Sequence, residues 1–119
     1  MLKIIKIDKT DYKMKSSAYT AFAYKDETGR NFLSDIMKLS EYKSLKDSNI
    51  VKSADMLDEL NLLLLRIAYI MIKEADNSQV TDFKSFVGSI ENLYVDSSWT
   101  EEVINLAVMP ISGQLQSNK

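Results

Sequence analysis

The stretch from Leu60 to Ile72 most constrains how this chain can fold. Nine of its 13 residues are Leu, Ile or Met, and they are interrupted only by Asn61, Arg66, Ala68 and Tyr69. No Gly or Pro breaks the run, and Ser53 or Asp55 can cap a helix whose first turn also carries Asp58 and Glu59 beside its positive end. The pattern predicts a helix running to about Ala75. At 100° per residue, Leu60, Leu63, Leu64, Ile67 and Met71 form one apolar row, and Leu62, Leu65, Tyr69 and Ile72 form a second. A helix with two apolar faces needs cover on both. Either it is the central helix of a small bundle, or Leu62, Leu65, Tyr69 and Ile72 are an oligomer contact. A bilayer span is excluded, because about 20 apolar residues are needed.

The rest of the chain supplies candidate neighbours. Leu2 to Ile7 is rich in β-branched residues, Asp8 to Asp11 are turn formers, and Tyr12 to Lys15 alternate apolar with charged, which reads as a hairpin. Ile4 and Ile5 point to opposite faces of a strand, so one of them needs a second covering layer or lies exposed. Ala18 to Lys25 reads as a short helical stretch, with Gly29 as a left-handed cap. Phe32, Leu33, Ile36, Met37 and Leu39 predict an amphipathic helix over about 30–41, followed over 40–54 by a polar loop with room for a helical turn. Thr81 is placed to cap a helix with a stripe of Phe83, Phe86, Val87, Ile90, Leu93 and Tyr94. Ser98 to Glu101 has the form of a capping box, opening a helix toward Leu115 that Pro110 must kink or end. The fold class expected is mainly α, a small bundle of four to five helices with an N-terminal β-hairpin. It forms a single domain over 1–119, with the hairpin at 1–16, the helical part at 17–115 and a polar tail at 116–119.

The last helix raises the same question as the long one. Trp99, Val103, Leu106 and Pro110 make one row, and Ile104, Val108, Ile111 and Leu115 make another beside it. Together they span roughly 200° of arc, about twice what docking on a single core demands. Ile104, Val108, Ile111 and Leu115 are therefore candidate partner-binding residues, against the alternative of packing within the chain.

Composition narrows the chemistry. With no Cys and no His, the chain lacks thiol nucleophiles, Cys/His metal sites and imidazole bases. Most acidic pairs fall in predicted first helical turns, where dipole effects explain them, and no phosphate loop or calcium loop is present. The expectation is a protein that is not an enzyme and has no cofactor or metal. A net charge of −2 makes duplex nucleic acid a poor partner. Lys3, Lys6, Lys9, Lys13 and Lys15 make the hairpin locally basic, which suits solubilising an edge strand better than binding a single strand of nucleic acid. The first residues show no signal-peptide pattern, and a cytosolic protein is expected.

The order of the pieces carries a resemblance. The basic hairpin, Ala18-Tyr19-Thr20-Ala21-Phe22-Ala23-Tyr24-Lys25 and Gly29-Arg30-Asn31-Phe32-Leu33-Ser34-Asp35-Ile36 come first. Leu64, Arg66, Ile67, Ala68 and Tyr69 follow, then Asp82-Phe83-Lys84-Ser85-Phe86 and Trp99-Thr100-Glu101-Glu102-Val103-Ile104. In that order they resemble the tail assembly chaperones of long-tailed phages or prophages of Gram-positive hosts. The resemblance implies a non-enzymatic protein that binds and solubilises the tape measure protein and recruits tail tube subunits during tail morphogenesis. It further implies action in the host cytoplasm and absence from the mature virion, while self-association is an expectation that the surplus apolar rows raise. The competing expectation is a small helical adaptor or regulatory protein that dimerises through its long helix.

Overall fold

The computed structural model describes residues 1–45, 54–91 and 98–111, with side chains at 42–45 and 54–57 left out of the description. Two strands, β1 (Leu2–Ile7) and β2 (Thr10–Lys15), precede five helices among the described residues: α1 (Ala18–Thr28), α2 (Phe32–Leu45), α3 (Ala54–Ala75), α4 (Phe83–Gly88) and α5 (Ser98–Val108). The fold is mainly α with an N-terminal hairpin.

The hairpin closes through Asp8 and Lys9, with Ile7 paired to Thr10 and Leu2 to Lys15. Asp8 takes φ 55°, the left-handed conformation that two-residue hairpin turns demand and that Asp tolerates better than most side chains. Its carboxylate also accepts a hydrogen bond from the Glu91 N–H at 2.7 Å, tying the turn to the segment after α4. The pleat resolves the Ile4/Ile5 conflict. Ile5, Ile7, Tyr12 and Met14 are buried, whereas Ile4 is 61% exposed.

Helix α3, about 33 Å long at 1.5 Å per residue, is the axis of the molecule. It packs against β2, α1, α2, α4 and α5, so neighbours surround it. Leu60, Leu63, Leu64, Ile67 and Met71 are buried, as the first row requires. The hairpin lays its inner face on α3 and α5, and Tyr12 meets Phe86 of α4 edge-on at 5.6 Å.

Local signals explain most boundaries. Ser17 caps α1: its Oγ accepts from the Tyr19 N–H, while Thr20 Oγ1 accepts from the Ser17 N–H. At the other end Gly29 adopts φ 74° and donates its N–H to the Lys25 carbonyl. Helix α2 runs to Leu45, so residues 41–45 are helical where a loop was expected, and residues 46–53 lie outside the described residues. Nothing in Glu41 to Leu45 breaks a helix, and a polar composition alone does not end one. The cap of α4 is Asp82 rather than Thr81, with Oδ1 accepting from the Ser85 N–H at 2.7 Å, and this helix stops at Gly88. The stripe continued to Ile90 in sequence, but Gly88 and Ser89 disfavour further turns; Leu93 and Tyr94 lie outside the described residues. Helix α5 ends at Val108, and Pro110 sits in a 3-10 turn over Met109–Ile111.

Candidate functional site: apolar surfaces and strand edges

The long helix carries no uncovered row. Leu65, Tyr69 and Ile72 are all buried, and of the proposed oligomer contact only Leu62, 41% exposed, reaches solvent. Tyr69 packs edge-on against Phe83 at 5.4 Å and lies over Phe86 at 5.9 Å, so α4 supplies part of the cover. This corrects the expectation of a dimer contact at Leu62, Leu65, Tyr69 and Ile72. The intramolecular reading of the second row holds instead.

The last helix answers similarly. Ile104 is buried, and Val108 and Ile111 are half-buried against the same core; Leu115 lies outside the described residues. The wide apolar arc of α5 is used because this helix contacts α2, α3 and β1 together. A helix wedged between three neighbours buries about twice the arc of one lying on a single face. Ile104, Val108 and Ile111 therefore do not form the free stripe expected of a partner site.

Exposed apolar surface lies elsewhere. Tyr19 and Phe22 on α1 are 59% and 64% exposed, with ring centroids 5.7 Å apart, and make a small aromatic platform. Leu2 and Ile4, each about 60% exposed, form a second patch on the outer face of the hairpin. The exposure of Ile4 is one of the two outcomes that the Ile4/Ile5 alternation allows, whereas a pair of aromatics on a weakly amphipathic helix carries no periodic signal.

Several polar side chains are committed to structure. Asp35 is buried at the start of α2, where it accepts from Tyr24 Oη at 2.5 Å and from Arg30 Nε and a terminal Arg30 nitrogen at 2.8 and 3.0 Å. Burial alone would raise its pKa, but the hydrogen bonds from Arg30 and Tyr24 outweigh that and hold the carboxyl below its ordinary value. The same contact, together with burial as the larger cause, pushes the Tyr24 phenol well above its ordinary range. This three-residue knot locks α1 to α2. Glu74, near the end of α3, accepts from Ser17 Oγ and Thr20 Oγ1, each at 2.6 Å, and so places a carboxylate at the N-terminus of α1.

Two open clefts of about 330 and 340 Å³ flank α1 and α3. Glu27 lines both and is paired with Lys73 at 2.9 Å, an ion pair that raises the lysine pKa. Lys73 also lies over the Tyr69 ring, 5.2 Å from its centroid. The second cleft includes Tyr19 in its wall. Mixed charge on an open surface of this kind suits polypeptide contact better than enclosure of a small molecule. Among the described residues no group of three or more Asp or Glu is placed to hold a metal, and no helix is long and apolar enough to cross a membrane.

The two edges of the hairpin differ in their partners. At β2 the side-chain amide of Gln79 acts as a short third strand: its Oε1 accepts from the Lys13 N–H at 2.8 Å and its Nε2 donates to the Lys13 carbonyl at 2.9 Å. No comparable group meets β1 among the described residues. Compared with known proteins, the chain matches no family model, no curated protein and no solved structure.

Proposed function

We propose that this protein is a tail assembly chaperone that binds and solubilises a tape measure protein in the host cytoplasm and brings tail tube subunits to it. The resemblance in ordered sequence blocks is the ground for the reading. The observation that carries its physical side is the solvent-facing pair Tyr19 and Phe22, which falls inside the Ala18–Lys25 block of that resemblance. Aromatics exposed in pairs are frequent anchors of polypeptide interfaces. An amphipathic client helix lying beside α1 would set apolar side chains on these rings, and the acidic and basic groups of the neighbouring cleft would meet its polar flank. Many weakly bound copies along one long client gain from effective concentration, so no single contact needs to be strong and no ATP-driven step is required.

Co-expression of the chain with the tape measure protein tests the reading. Soluble client co-eluting with the chaperone is the expected result, with Phe22→Ser losing the complex while keeping its helix content. Client that stays insoluble with wild-type chaperone overturns the function. A complex indifferent to Phe22→Ser keeps the function but moves the contact away from α1.

A further inference from the structure

We infer that two copies of this chain join through β1, pairing antiparallel about Ile4 to make a continuous four-stranded sheet in the order β2-β1-β1-β2. The inference stands on hairpin geometry and is independent of the chaperone reading. Alternation in the ladder tells which backbone groups face outward. Met1 and Ser16 exchange both of their hydrogen bonds, at 2.9 and 2.8 Å, and Gln79 takes both backbone groups of Lys13 from the far side. In an antiparallel pair these states alternate, so Leu2, Ile4 and Lys6 direct their N–H and C=O groups away from β2. None of these three outward pairs has a hydrogen-bond partner among the described residues. Their side chains are exposed as well, with Leu2 and Ile4 each about 60% accessible.

The occupant is specified by register and charge. A two-fold axis at Ile4 sets Ile4 opposite Ile4 of the partner subunit and Leu2 opposite Lys6, forming six main-chain hydrogen bonds from the three outward-facing residues on each side. Moving the axis to Lys3 or Lys6 would put a lysine opposite its own copy, and an axis at Lys3 or Ile5 would leave only four bonds. Both lysines of β1 also have a carboxylate of their own chain nearby: Lys3 pairs with Glu102 at 3.4 Å, and Lys6 stands opposite Asp11. The strand is therefore close to neutral where the copies meet, although the hairpin as a whole is basic. On the outer face, Leu2 and Ile4 of each copy merge into one apolar ribbon flanked by the Lys13 and Lys15 stems. With so few side chains per copy the interface falls below the standard size, so the association is weak and dependent on concentration.

Sedimentation of the full chain and amide exchange followed by NMR, both from about 10 µM to 1 mM, test this. A monomer–dimer equilibrium is expected, with the Leu2, Ile4 and Lys6 amides exchanging at least about tenfold more slowly at the high end. Ile4→Pro is the informative variant. The N–H it deletes faces outward rather than into the ladder, so the hairpin tolerates it while the central pair of the dimer is lost. It should weaken dimerisation at least about tenfold and leave the helical circular dichroism unchanged. If Ile4→Pro disturbs the fold, Ile4→Lys, which sets two lysines face to face, reads the same contact. A monomer throughout the range, or a dimer that leaves the three amides unprotected, overturns the proposal. So does a dimer that forms equally well in both variants.

Discussion

The second apolar row of α3 and the second apolar row of β1 end differently. Leu65, Tyr69 and Ile72 are enclosed because five elements converge on α3, whereas Leu2 and Ile4 remain in solvent because a two-stranded sheet here has a layer on one side only. The two edges of that sheet repeat the contrast: Gln79 satisfies Lys13 on β2, and no group among the described residues satisfies Ile4 on β1. Surplus apolar residues in a sequence therefore do not by themselves mark an interface. What matters is whether the topology provides a covering layer, and the centre of a bundle provides several while the rim provides one.

This contrast can be broken most severely from the inside. Ile72→Asp would place an unpaired carboxylate at the fully buried end of that row and should cost at least about 4 kcal/mol, seen as loss of cooperative thermal unfolding. If the variant keeps a native-like melting transition, the second row of α3 is not core. Next in size is the buried knot. Asp35→Asn should lower stability by about 1 to 3 kcal/mol at neutral pH, measured by urea denaturation, because it removes charge-assisted bonds to Arg30 and Tyr24. Since the folded-state pKa of Asp35 lies below its unfolded value, its contribution is present above about pH 4 and is lost as the pH falls through the folded value. The acid limb of stability should therefore be shallower in the Asn variant.

The sheet edges give smaller effects. Gln79→Ala removes the two hydrogen bonds to Lys13, together with the longer ones from Nε2 to the Ile72 and Asp76 carbonyls, and should cost about 0.5 to 1.5 kcal/mol, with faster exchange of the Lys13 amide as its specific signature. Ile4→Thr, on the uncovered face, should change the stability of dilute protein by less than about 0.5 kcal/mol. A large loss at Ile4 would mean that this face is covered after all.

Much of the architecture was legible from pattern alone. The alternation in Tyr12 to Lys15, the conflict between Ile4 and Ile5, the cap at Gly29 and the stop at Pro110 each rest on local chemistry, and each appears in the structure. The length of α4 was misjudged because apolar spacing survives past the point where Gly88 and Ser89 end the helix. The candidate site was much less legible. Periodicity shows that Ile104 and Val108 lie beside Trp99 and Val103, but which helix or strand packs there depends on residues far away in sequence. Gln79 illustrates the limit further. It looks like any polar residue in a connection, and only the approach of a strand 66 positions earlier turns its amide into a surrogate peptide.

That long reach bears on how the chain is made. The hairpin leaves the ribosome before α3, so Ile5, Ile7, Tyr12 and Met14 have no long helix to rest on until α3 has been synthesised, and Lys13 waits until residue 79 for its amide partner. A two-stranded ribbon is only marginally stable in water by itself. During that interval the lysines spaced through residues 3–15 act as gatekeepers, keeping a sticky nascent segment dispersed until the body of the protein arrives to shelter it.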